Sequence, residues 1–350
     1  MGDGETVANA KTSLNATTAT ARSTSAVQAL AEPEERLAPK RFKAARTFFT
    51  HKPLGVFGLA LIVVLGFLAL FGHWVAPYGA ETRFTVRPQA AAPAANTNPD
   101  DVSCVTPECT AKAHAQAAQA ISNTGPSAKH WFGTDGGSRD LFTRVILGAR
   151  RSLGVGLGSL LIGTFLGVVL GGLSAYVGGT FDTVTQRVMD ALQAFPPLLF
   201  LLLLTAVGQP SIALITAGIG IVATPQISRI ARSTVLQVRA LPFVEAAQVI
   251  GAPDRRILVS HILPNIWAPV IVIFTIGVGA GILAEAALSF LGVAPVGVSW
   301  GYMTYEGTQL IKQAPSEAIF AGAAISLAVL GFNIVGDALR DVLDPRLRAR

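Results

Sequence analysis

Reactive side chains are scarce in the places where chemistry would need them. Glu285, within Gly281-Ile-Leu-Ala-Glu-Ala-Ala-Leu-Ser-Phe-Leu-Gly292, is the one ionisable group clearly embedded in a long apolar run. A carboxylate in such a place is costly unless it faces water, pairs, or is protonated. Two roles stay open for it: a hydrogen bond to a neighbouring helix, or a place on a polar path where it attracts an ammonium group. Cys104 and Cys109 share one polar stretch, and if that stretch lies in an oxidising compartment a disulfide is expected. A zinc site would take four ligands, and the histidines are scattered, so no metal is expected. No Gly-x-x-x-x-Gly-Lys-[Ser/Thr] phosphate loop occurs, and neither His-Glu-x-x-His nor Gly-x-Ser-x-Gly is present. The chain is expected not to be an enzyme and to hold no cofactor of its own.

Two stretches do combine special residues at telling positions. In Ala240 to Pro264, Phe243, Ala246, Ala247 and Ile250 fall at i, i+3, i+4 and i+7, one apolar stripe of a short helix. Gly251 stands where that helix would end on a left-handed residue. Pro253 suits the first position of a second short helix, Asp254 favours its positive end, and Pro264 should stop it. Further upstream, His130-Trp-Phe-Gly-Thr-Asp-Gly-Gly-Ser-Arg-Asp140 gathers Asp135, Arg139 and Asp140 around a tight turn. These charges read first as a local ion-pair and turn network without a ligand. Ser138 tolerates positive φ less well than the glycine such a turn would favour.

The elements around these stretches are membrane spans. Hydrophobic residues make up 51% of the chain and only 14% are charged, with a mean hydropathy of +0.51. That composition belongs to an all-α polytopic membrane protein. A net charge of +6 is small for this length and gives no sign of nucleic acid as a partner; anionic lipid headgroups suit it better. Residues 1 to about 35 read as a disordered tail. Basic residues from Arg36 to Lys52 then precede an uncharged run, Leu54 to Gly72, which is long enough to cross about 30 Å of hydrocarbon. Further spans are expected over about 153–177, 194–207, 212–224, 269–291 and 318–335, six in all. Gly163, Gly167 and Gly171 form a small-xxx-small face that either intrachain packing or a partner could use. The stretch Pro225–Asn265 carries Arg229, Arg232, Arg239, Arg255 and Arg256 against Glu245 and Asp254, which fits the cytoplasmic side, with both termini also inside. One feature conflicts with that orientation. Arg83, Arg87, Lys112, Lys129, Arg139, Arg144, Arg150 and Arg151 all fall on the outer side, where only the length of the loop relaxes the rule.

Glu245, Ala246, Ala247 and Gly251, followed by Ile262-Leu263-Pro264, resemble the EAA motif of ABC-importer permeases. The His130–Asp140 signature, Gly148-Ala-Arg-Arg-Ser-Leu153 and Asp344-Pro-Arg-Leu-Arg348 resemble the dipeptide/oligopeptide/nickel family, in its OppC/DppC-like branch. The resemblance implies a type I ABC-importer permease fold with six transmembrane helices. With the hydropathy pattern, the chain is expected to divide into a disordered then basic cytoplasmic tail (1–53), a first transmembrane helix (54–78), an extracytoplasmic loop with an insertion (79–147) and a permease core (148–350), whose coupling loop is 240–264. The resemblance further implies a homologous second permease subunit, two ATPase subunits that bind the ATP and Mg, an extracytoplasmic substrate-binding protein, and a bacterial plasma membrane. Glu245, Ala246, Ala247, Gly251 and Pro264 would couple to the ATPase, although Glu245 could equally serve its own helix end. Di- or oligopeptides would be the cargo, with nickel complexes or another small solute as the alternative. Outside the family, a secondary transporter would carry more intramembrane charge than this chain does, and a membrane scaffold or sensor would need another partner for the 240–264 loop.

Overall fold

A computed structural model describes residues 52–84, 124–312 and 314–343. Cys104, Cys109, residues 1–51, residues 85–123 of the 79–147 loop, and Asp344–Arg350 lie outside them. The described residues form helices joined by turns and loops, with two isolated bridges, Arg83 with Arg139 and Thr134 with Asp140.

Helix α1 (Pro53–Val75) opens with a proline in its first turn, where the missing N–H costs nothing. It is apolar all round and mostly exposed, as a lipid-facing helix should be. Gly58 lets it lie close to Ile334, and Gly72 lets it lie close to Ile146.

Helix α2 (Leu141–Val177) starts well before the expected boundary near 153, because the Asp140 side chain caps it by accepting from the Thr143 N–H at 2.8 Å. The arginines at 144, 150 and 151 make this first part look like loop. In the structure Arg144 is buried, and Arg151 donates to the Pro295 carbonyl at 2.5 Å. With Arg139 also paired to acids, three of the basic residues that conflict with the charge rule are tied to protein groups. The helix ends at Gly178, with φ of 74°.

The third expected span is not one helix. Helix α3 (Gly179–Ala194) and helix α4 (Pro197–Val207) meet at an angle of 86°. Pro196 holds Phe195 in extended backbone, and Pro197 begins the new helix without needing a donor. At about 16 Å, α4 alone is too short to cross a bilayer. Among the described residues, five helices are long and apolar enough to span, and the bent pair makes a sixth if it counts as one.

Helix α5 (Ile212–Arg239), capped by Ser211, runs unbroken through Pro225. Short helix α6 (Pro242–Val249) follows, then α7 (Asp254–Arg256), a π-helical turn Ile257–Ile262, and α8 (Leu263–Phe290). The structure differs from expectation at two prolines. Pro253 is the N-cap of α7 rather than its first helical residue, and Pro264 does not stop the helix. The wider π turn, closed by Leu263 N–H donating to Leu258, relieves the clash and missing donor that a proline imposes on an ordinary α turn. Asp254–Phe290 is thus one continuous rod. Helix α9 (Trp300–Gln309) forms where only a loop is expected, capped by Ser299. Its Trp300 is buried and donates to the Val145 carbonyl at 2.8 Å. Helix α10 (Ser316–Leu343) packs on α8 and α1.

The glycine face of α2 is used within the chain. A Cβ at Gly163 would come within 2.7 Å of the Gly220 carbonyl, one at Gly167 within 2.8 Å of Ile227, and one at Gly171 would strike the Ser228 backbone. These contacts zip α2 against α5, and α8 packs on both.

Candidate functional site

The 240–253 segment carries the most unusual surface. Within α6, Val244 and Ala247 are buried against a small apolar core that includes Ala175, Val238, Ile257 and Ile262. The expected stripe of Phe243, Ala246, Ala247 and Ile250 therefore does not face the chain's own core; only Ala247 does. The remainder of it is exposed with Val249, and Val249 and Ile250 are 82% and 83% exposed. A two-turn helix needs little more than an i, i+3 pair to dock on its own chain, which leaves this apolar face unpartnered.

Gly251 has φ of 74°, and it closes α6 as the sequence suggests. Its N–H donates to the Gln248 carbonyl at 3.0 Å, and the Ala252 N–H donates to the Ala247 carbonyl at 3.0 Å, the paired bonds of a Schellman end. A Cβ at Gly251 would meet nothing within 4 Å. Within this chain the glycine answers a backbone angle, not a packing contact. Glu245 is exposed in the first turn of α6, where a negative charge suits the helix dipole. Pro264 lies just beyond the π turn, inside the Asp254–Phe290 rod.

Glu285 is 1% exposed and lies between α8 and α2. It accepts from Ser289 Oγ at 2.8 Å and Ser152 Oγ at 3.2 Å, and Ser152 Oγ in turn accepts from the Trp300 N–H at 3.1 Å. That arrangement gives a buried carboxylate the donors it requires.

The structure brings Asp135 and Arg139 together and adds residues that no local pattern reveals. Asp135 accepts from the Gly137 and Arg139 N–H groups, both at 2.8 Å, and from Arg139 Nε at 2.6 Å. Arg144, 1% exposed, contacts Asp135, Glu306 Oε2 (2.6 Å) and Glu317 Oε1 (3.0 Å). Arg139 also reaches Glu306 at 3.0 Å. Burial works against the charged form of Arg139, but the Asp135 and Glu306 carboxylates outweigh it and hold its pKa above the ordinary arginine value. The oxygens of Asp135, Glu306 and Glu317 lie within 4.8 Å of one another. A single guanidinium, that of Arg144, touches all three and stands where a cation would. Asp140 serves elsewhere, capping α2 and pairing with His130 at 2.9 Å. Ser138 keeps φ of 59° despite its side chain.

Among the residues not anticipated, Arg144, Glu306 and Glu317 join positions far apart in the chain, so spacing gives no sign of them. Arg232 with Asp182 (2.6 Å) and Arg229 with Asp190 (2.6 Å) join α5 to α3 in the same way.

Residues 163–349 match the family described as binding-protein-dependent transport system inner membrane component. Residues 41–96 match the N-terminal TM domain of oligopeptide transport permease C. The chain is 42% identical over 250 residues to a dipeptide transport system permease protein, DppC, of Alkalihalophilus pseudofirmus, covering 69% of this chain and 81% of that one. It is 34% identical over 302 residues to a glutathione transport system permease protein, GsiD, of Escherichia coli, covering 86% of this chain and 89% of that one. Among solved structures, the inward-facing MetNI methionine ABC transporter aligns with 58% of this chain and 96% of its own, with a TM-score of 0.47 and 17% identity.

Proposed function

Because the chain belongs to the family of inner membrane components of binding-protein-dependent transport systems, we propose that it forms half of the path through which an ABC importer moves short peptides. The cargo reading rests on the relatives, whose names specify a dipeptide and glutathione. A homologous permease would supply the other half of the path. Two ATPase subunits would bind the ATP and Mg, and an external binding protein would deliver the peptide. The setting is a bacterial plasma membrane with both termini and the 240–264 loop in the cytoplasm.

The observation that carries the coupling role is the exposed apolar face of α6, fixed in direction by a glycine-dependent turn at its end. Such a face, held on a rigid two-turn helix, fits a groove on a partner. Closure of the ATPase dimer on ATP would push α6, and the helices behind it would swing between inward- and outward-facing arrangements. Glu285 stays out of this path and ties α8 to α2.

Co-purification tests the assembly, and uptake tests the cargo. A tagged chain should bring down a second permease and an ATPase, and vesicles bearing the complex should accumulate labelled di- and tripeptides. Accumulation of nickel without peptide would overturn the cargo reading. Recovery of the chain without any ATPase would favour a scaffold or sensor.

A further inference from the structure

We propose that Tyr176 is a positioning residue that clamps both flanks of the 240–253 segment to the end of α2, so that helix and segment move together. The proposal rests on the reading that this segment meets an ATPase. Helix α2 is about 55 Å of continuous rod. Near one end Arg144 ties it to Asp135, Glu306 and Glu317, and along its length the glycine face zips it to α5. Tyr176 stands one residue from its other end.

Both flanks of the segment return to that one residue. Arg239, the last residue of α5, donates from Nη1 to the Tyr176 carbonyl at 2.8 Å, and its guanidinium carbon lies 5.6 Å from the centre of the Tyr176 ring. Asp254, the first residue of α7, accepts from the Tyr176 hydroxyl at 2.6 Å. The electrostatics agree at each contact. A cation meets the carbonyl end of α2, and an anion occupies the first turn of α7. Between the two contacts, Val244, Ala247 and Ala252 pack on the same small core as Tyr176. A push on α6 therefore reaches α2 through a clamp on both sides rather than through a free loop. Sequence spacing hides this, because the three residues come from three helices.

Tyr176→Phe keeps the ring and the carbonyl contact and removes only the bond to Asp254, whereas Asp254→Ala removes the same bond from the exposed side. The complex is assembled with its ATPases and the binding protein, the latter loaded from a mixed di- and tripeptide hydrolysate. ATP hydrolysis is then measured with and without the binding protein. Each variant is expected in normal yield with its stimulation ratio reduced at least threefold, and the double variant should lose no more than either alone. Wild-type stimulation in Tyr176→Phe or in Asp254→Ala, or losses that multiply in the double variant, would overturn the clamp. So would a low yield of Tyr176→Phe beside a normally stimulated Asp254→Ala, which would mark a role in folding only. Gly251→Val separates the two levels. If it is uncoupled while Tyr176→Phe is not, the clamp alone fails; if it stays coupled, the segment and the clamp both fail.

Discussion

Ser138 holds a backbone angle of φ 59° that side chains rarely adopt, and it does so in a turn whose carbonyl accepts from the Phe84 N–H at 2.9 Å. The residue is legible in the sequence as a non-glycine in a glycine-like place, but the turn survives because Asp135 and Arg139 hold both sides of it. We expect Ser138→Gly to keep the turn and Ser138→Val to lose about 1–3 kcal/mol, seen as a lower apparent melting temperature of the purified complex. Glu285 was equally visible as an isolated carboxylate, yet its role was not. Its donors Ser152 and Ser289 are ordinary residues until folding brings α2 beside α8. Glu285→Gln should assemble and transport nearly as wild type, because an amide can bond both hydroxyls. Glu285→Leu takes away the acceptor of both hydroxyl protons, at about 1–3 kcal/mol, and the recovered yield of complex should fall. A well-assembled Glu285→Gln complex that no longer transports would instead put the carboxylate on the path.

At the scale of elements, hydrophobic length located the helices and punctuation residues misplaced some of their ends. Pro196 and Pro197 do break a helix, by 86°, whereas Pro264 is absorbed by the π turn before it. The difference lies in neighbouring backbone that a one-dimensional pattern does not carry. The start of α2 was hidden because Arg144 looks like loop until Glu306 and Glu317 are beside it. The Gly163, Gly167, Gly171 face was plain, and the structure supplies its partner, α5. Gly167→Val would drive two methyl groups into Ile227, already 2.8 Å from an added Cβ. Overpacking of this kind costs about 1–3 kcal/mol. The variant should be recovered in reduced yield, while Gly154→Val, which meets nothing within 4 Å, should not; equal yields would mean that the zip is dispensable.

For the whole molecule, the family and the membrane-spanning class were readable from residue patterns, because spans need long apolar runs and the 240–264 motif is local. What binds the parts together was not readable. The ion cluster, the Ser152–Glu285 link and the Tyr176 clamp each join residues from separate helices. In the coupling proposed above, the 240–253 segment passes ATPase closure to the spans, and Gly251 aims it. The most direct test is peptide-stimulated ATP hydrolysis by the assembled complex carrying Gly251→Val. A Cβ there meets nothing of this chain within 4 Å, so within the chain the substitution acts through the left-handed backbone, at about 1–3 kcal/mol. The variant should insert and assemble normally and lose at least tenfold in stimulated hydrolysis; stimulation equal to wild type would contradict the claim.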